Sequence, residues 1–112
     1  MTRGEIWWAD FGVPFGSKPG FNRPIIIIQD DAINQSKINT VIVIPFTTNL
    51  FLEKAPGNVF VEKYESRLSK DSVLVTSQIS VIDKSRLIKY ENRLPNSILD
   101  EIDDGIKLVL GM

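Results

Sequence analysis

An arginine followed by proline, Arg23-Pro24, and a threonine pair behind a proline, Pro45-Phe46-Thr47-Thr48, stand out as residues suited to chemistry. Arginine offers a fixed, charged fork of donors that matches a phosphate, and threonine offers a hydroxyl that donates or accepts. Proline after Arg23 holds that residue extended and removes one ladder donor, so the guanidinium belongs at the mouth of a strand. Each feature also has an ordinary explanation. A lone arginine at a strand start is usually solvated, and polar clusters at strand ends, such as Thr47, Thr48 and Asn49, usually form turns. What narrows the choice is what the chain lacks. It has no histidine and no cysteine in 112 residues. A cysteine nucleophile, an imidazole base, a Ser-His-Asp triad and a Cys/His zinc site are therefore excluded. Catalysis has to use Arg, Lys, Asp, Glu, Tyr, Ser or Thr.

A second region with chemical potential is the segment Gly12 to Asn22, GVPFGSKPGFN. Hairpin connections usually have two to about five residues, and a longer one in a compact domain is often functional. Phe15, Phe21 and Lys18 could stack on bases and meet a phosphate. The competing reading is that the phenylalanines pin the loop to the body of the protein. The acidic pairs Asp30-Asp31 and Asp103-Asp104, with Asp100 and Glu101, have the oxygen donors that Mg²⁺ prefers. Their positions at a strand end and on the polar side of a helix read as structural instead. Asp83-Lys84-Ser85-Arg86 is basic enough to touch a phosphate, and it too reads as structural, with Asp83 capping a turn. No metal and no cofactor are expected.

These residues need a scaffold, and the sequence describes one. Short β-branched and aromatic runs recur between turn residues at Glu5–Asp10, Pro24–Gln29, Thr40–Phe46, Asn58–Glu62, Ser72–Ile79 and Arg86–Glu91, the pattern of a compact antiparallel β-fold. The strand period of two sends Trp7 and Trp8 to opposite faces. The run Ile25 to Ile28 has no polar alternation and predicts a strand buried on both faces. After Leu94 the period changes: Ile98, Ile102, Ile106 and Val109 recur at helical spacing, with Pro95 suited to the first turn. Gly105 weakens that helix unless another element packs close to it. The expectation is a single domain over 1–112, a small barrel with a C-terminal helix. Thirteen basic against fourteen acidic side chains give a net charge of −1, which argues against a generally basic nucleic-acid binder and leaves room for a local basic patch. The opening residues do not build a signal peptide, and no run approaches the ~20 apolar residues of a spanning helix. A soluble, cytoplasmic protein without membrane contact is expected.

Taken together, the pieces resemble the MazF/PemK family of toxin endoribonucleases. The matching segments are RGEIWWADFG at the start, GSKPGFNRP for the family's G-S-x-x-G-x-x-R-P, IIIIQDD followed by Asn34, TVIVIPFT, KDSVLVTSQISVIDKSRL and the L-x-L-G ending. They cover nearly the whole chain in order. The resemblance implies a mainly β, SH3-like barrel of about six to seven strands with a C-terminal α-helix. It also implies a homodimer that cleaves single-stranded RNA without a metal and is neutralised by a cognate antitoxin. The implied reaction is attack of the ribose 2′-OH on the adjacent phosphorus, leaving a 2′,3′-cyclic phosphate and a 5′-OH. The family's catalytic Arg and Thr carry over onto Arg23 and Thr47. RNA contacts are implied at Phe15, Ser17, Lys18, Thr48, Ser77 and Gln78. The chain departs from the family in VLVTSQIS, where Ser77 and Ser80 replace a common Glu and Arg; this bears on base recognition. Two other readings keep the fold: a gyrase poison of the CcdB type, which acts by protein binding, and a dimer that binds RNA without cutting it.

Overall fold

The computed structural model describes residues 1–12, 16 and 21–112. Its centre is the strand β3 (Thr40–Thr47), with β2 (Asn22–Ile27) on one side. Next to β2 lies β1 (Glu5–Asp10), followed by β7 (Leu87–Arg93), each pair antiparallel. The other edge of β3 is shared: β6 (Ser80–Asp83) pairs with its first half and β5 (Ser72–Leu74) with its last two residues, while β4 (Val59–Val61) pairs β5. The seven strands thus form one antiparallel sheet in the order β4-β5-β3-β2-β1-β7, with β6 beside β3. The hydrogen-bonded path stays open, because β4 and β7 at its two ends do not pair among the described residues. The expected mainly β fold with a C-terminal helix is present, as an open sheet rather than a closed barrel.

Alternation along the central strands builds two cores, one on each face. Ile6, Ile26, Ile44, Phe46 and Leu74 pack on one face beneath Ile98, Leu99 and Ile102 of the C-terminal helix α3 (Asn96–Leu110). Ala9, Ile25, Ile27, Val41, Val43 and Ile82 fill the other. The run from Ile25 to Ile27 is therefore buried throughout, as a central strand requires. Trp7 and Trp8 part as the period demands. Trp8 joins the first core and Trp7 the second, where its ring meets Tyr90 edge-on and its Nε1 donates to Glu5 Oε1 at 2.9 Å. The close partner expected of Gly105 is Gly57: a Cβ at position 105 would lie 2.3 Å from the Gly57 carbonyl oxygen.

One expected strand is divided. The run Ser72–Ile79 pairs with β3 only as far as Leu74, breaks at a 3-10 turn, Thr76–Gln78, and resumes as β6 in a register shifted by three residues. An insertion of this kind ends local pairing and re-aims side chains. Its cause is tertiary. Thr76 is buried, its Oγ1 donates to the Gly57 carbonyl at 2.6 Å, and its N–H donates to Asn58 Oδ1 at 3.0 Å. Two single-turn helices also interrupt the loops: α1 (Asp31–Asn34), capped by the Asp30 side chain, and α2 (Lys63–Ser66).

Candidate active site

The β2–β3 ladder ends at the pair Ile25–Pro45. Beyond it lies Pro24, and neither proline has an N–H to continue the pairing. Carrying the antiparallel register two residues further sets Arg23 across from Thr47, and directly opposed side chains start about 5 Å apart. Arg23 is half-buried and its Nη1 donates to the Phe46 carbonyl in a long bond of 3.4 Å. That bond is its one hydrogen bond among the described residues, so most of the guanidinium's donors are free of protein partners there. Thr47 is half-buried as well, and its Oγ1 accepts the Asn49 N–H at 3.2 Å. With one lone pair occupied in this way, the hydroxyl proton is left to point toward a further acceptor. Asn49 is itself fixed, since its side chain accepts the Phe51 N–H and caps the 3-10 turn Leu50–Lys54.

Arg23, Thr47 and the exposed Thr48 line a cleft of about 200 Å³ at this end of the sheet. Trp8, Pro24 and Phe46 give it an apolar wall, and Leu68, Ser69, Lys70 and Ser72 close the opposite side. Among the described residues no carboxylate lines it. A small cleft with cationic and hydroxyl donors, partly dry walls and no acid suits an anion with room for the atoms around it. The wall Leu68 to Ser72 was not singled out in the sequence. It follows the left-handed residue Arg67 (φ 65°) at the end of α2 and is tied down by Ser66 Oγ, which accepts the Leu68 N–H at 3.0 Å. The signal for it is a run of Ser and Lys directly before β5, in a stretch with no periodicity.

Arg23, Thr47 and Thr48 are thus brought together, and Ser77 and Gln78 are not. The latter lie in the turn between β5 and β6, outside the lining of the cleft. Phe15, Ser17 and Lys18 fall outside the described residues. Phe21 is exposed, at 67%, rather than buried as a pin for the loop, and its backbone pairs with Phe11 and Gly12. Three of the acids considered as metal ligands, Asp30, Asp31 and Asp103, have protein partners. Asp103 forms an ion pair with Arg3, and Asp31 accepts the Arg3 N–H at 2.7 Å and the Asn34 amide at 3.1 Å. The Arg3 backbone N–H, followed by the Asn34 amide, holds the Asp31 carboxyl below the usual aspartate value.

Endoribonuclease MazF6 of Mycobacterium tuberculosis is 39% identical over 112 residues, spanning 100% of this chain and 98% of that protein. Endoribonuclease MazF of Staphylococcus saprophyticus is 37% identical, over 100% and 92% of the two chains. A mycobacterial endoribonuclease in complex with its cognate antitoxin shares the fold with a TM-score of 0.81 at 19% identity, covering 100% and 96% of the two chains. MazF from Deinococcus radiodurans does so with a TM-score of 0.81 at 21% identity, over 100% and 97%. Among the described residues no helix is long and apolar enough to cross a membrane. The family model for the PemK-like, MazF-like toxins of type II toxin-antitoxin systems matches residues 2–110, and the chain belongs to that family.

Proposed function

We propose that this toxin is a metal-independent, sequence-specific endoribonuclease that cleaves single-stranded RNA in the cytoplasm. The observation that carries the reading is the juxtaposition of Arg23 and Thr47 in a cleft lined, among the described residues, by no acid. The nucleophile belongs to the substrate. As the ribose 2′-oxygen bonds to phosphorus and the bond to the 5′-oxygen breaks, the 2′-OH gives up a proton and the leaving oxygen gains one. The ends are a 2′,3′-cyclic phosphate and a 5′-OH. No histidine is needed for that balance. What the protein must supply is stabilisation of the crowded phosphorane, and preorganised donors aimed at developing charge supply the largest catalytic effect. Arg23 fits this role and not that of a base, because a guanidinium does not give up its proton in proteins. Thr47, with its oxygen already accepting from Asn49, donates to a phosphate oxygen and fixes its orientation.

In this reading Thr48 holds the neighbouring sugar-phosphate. Phe15, Ser17 and Lys18 cover the substrate from the long loop, and Ser77 and Gln78 meet RNA beyond the scissile phosphate. The chain works as one toxin domain over 1–112 and as a homodimer. Its cognate antitoxin silences it by laying acidic and apolar side chains along the cleft and against Arg23. The test is cleavage of a mixed single-stranded RNA pool in excess EDTA, with mapping of both ends. Cuts at a recurrent short motif with cyclic-phosphate and 5′-OH ends are expected. Intact RNA from a folded protein, together with inhibition of DNA supercoiling, would transfer the assignment to the gyrase-poison class.

A further inference from the structure

The cleft contains a second cation for which the reaction outlined above has no use. Lys70 lines it opposite Arg23, is exposed, and its ammonium has no protein partner among the described residues. An exposed lysine is normally a solvated charge, but three features of its surroundings argue otherwise. Its backbone is held, because Ser72, itself 2% exposed, donates its hydroxyl to the Lys70 carbonyl at 3.1 Å. The adjacent acid is turned elsewhere: Asp71 accepts the Lys63 N–H at 2.8 Å, at the start of α2. And among the described residues no carboxylate, Asp71 included, lines the cleft. Two cationic residues therefore line one small volume with no acid in its lining among the described residues, a setting whose positive potential favours an anion.

We infer that Lys70 is a second phosphate-binding cation, which contacts the scissile phosphate and completes with Arg23 a clamp matched to the two negative charges of the phosphorane. The inference rests on the ribonuclease reading. Its contribution is electrostatic, with no proton transferred. Arg23 fixes geometry through its planar fork, whereas Lys70 acts as a point charge on a flexible stem. Two measurements on the full-length protein test this. Single-turnover cleavage of an RNA containing one cut site should fall about 10- to 100-fold in Lys70→Ala and in Lys70→Gln, and recover most of the loss in Lys70→Arg. Binding of the same RNA with a 2′-deoxy sugar at the cut site should lose about 0.7 from its slope of log affinity against log salt, the share of one phosphate contact on a single strand. Lys37→Ala, the same loss of charge at an exposed position near the other end of β3, controls for net charge and should leave both readouts unchanged. The inference is overturned if Lys70→Ala cleaves as the wild type does, or if its losses equal those of Lys37→Ala. A wild-type protein that leaves RNA whole would defeat the ribonuclease reading instead, and the salt slope would then decide the fate of Lys70 by itself.

Discussion

The two ends of β3 are built from similar residue types and arranged in opposite ways. At the Thr40 end the polar groups are committed to one another. Gln29, which is buried, donates to Asn34 Oδ1 at 2.9 Å and to the Thr40 carbonyl at 3.2 Å, and the Asn34 amide returns a bond to the Gln29 carbonyl at 2.9 Å. Lys84 donates to the Asn34 carbonyl at 3.0 Å, and Arg3 joins the cluster through Asp31, the Ile28 carbonyl and Asp103. At the Thr47 end Arg23 has one long bond, Lys70 has no partner among the described residues, and the Thr47 hydroxyl accepts without donating to the protein there. Donors half-buried or exposed at the mouth of a cleft, without a protein partner among the described residues, are open to a ligand in a way that the satisfied groups of the other end are not. One strand stores stability at its first residues and presents chemistry at its last.

The sharpest way to break the comparison is to exchange the two roles by mutation. Arg23→Ala should lower cleavage about 1,000-fold. It should move the thermal midpoint by no more than about 3 °C, since it removes only one weak bond at the rim. Thr47→Ala should cost about 100-fold, and Thr47→Ser should retain much of the activity, because the hydroxyl and its lock to Asn49 are kept. If the two groups act on one transition state, the double variant should fall well short of the product of the single losses. Losses that multiply in full would mean that the two side chains serve separate steps. A large fall in stability with Arg23→Ala would place this end in the structural class with the other.

The complementary change is Asn34→Ala at the committed end. It leaves the Gln29 amide with only its bond to the Thr40 carbonyl and removes three bonds from a buried cluster, which should cost about 2–3 kcal/mol and lower the thermal midpoint by about 10 °C. Cleavage per folded molecule should match the wild type below the transition. Denaturation monitored by circular dichroism, alongside activity at low temperature, reads both. Activity that collapses while the protein is folded would show that the two ends are coupled through β3.

How much of this contrast was legible in the sequence depends on how far each partner lies along the chain. Ile25 to Ile28 announced a doubly buried strand, which holds at Ile25 to Ile27 while Ile28 is half-buried past the end of β2; the period of two separated Trp7 from Trp8, and the helical spacing after Leu94 located α3, because each signal is local and hydrophobic. Arg23-Pro24 and Pro45-Phe46-Thr47 were legible as strand mouths for the same reason. The turn at Thr76–Gln78 was not. VLVTSQISV reads as one continuous strand, and what breaks it is Thr76 reaching residues eighteen and nineteen positions earlier. With that break Ser77 and Gln78 leave the cleft, and the wall that replaces them, Ser69 to Ser72, has no periodicity to reveal it. Of the committed cluster, Asp30-Asp31 was legible as a turn. The role of Asn34 was not, since neither residue type nor spacing shows that its side chain turns back onto Gln29 and Asp31 or that its carbonyl receives Lys84 from fifty residues away.

The smallest expected effect sharpens the same contrast through pH. Asp31 holds the N-terminal segment to the committed end by accepting the Arg3 N–H, and this bond, with the one from Asn34, lowers its native value below the ordinary 3.8. A lowered native value means that the unfolded chain takes up the proton first as the solution is acidified. The stabilising contribution is therefore complete above the ordinary aspartate range and disappears as pH falls through the native value. Asp31→Asn keeps the shape and an acceptor oxygen without the titration. The wild type should exceed it in thermal midpoint at about pH 6, and that margin should shrink steadily as the pH is taken down to about 3. A margin that stays constant across the range would mean that the carboxylate titrates alike in the folded and unfolded states. The Arg3 tether would then be held by geometry, with charge playing no part, and the committed end would owe its stability to neutral hydrogen bonds and packing alone.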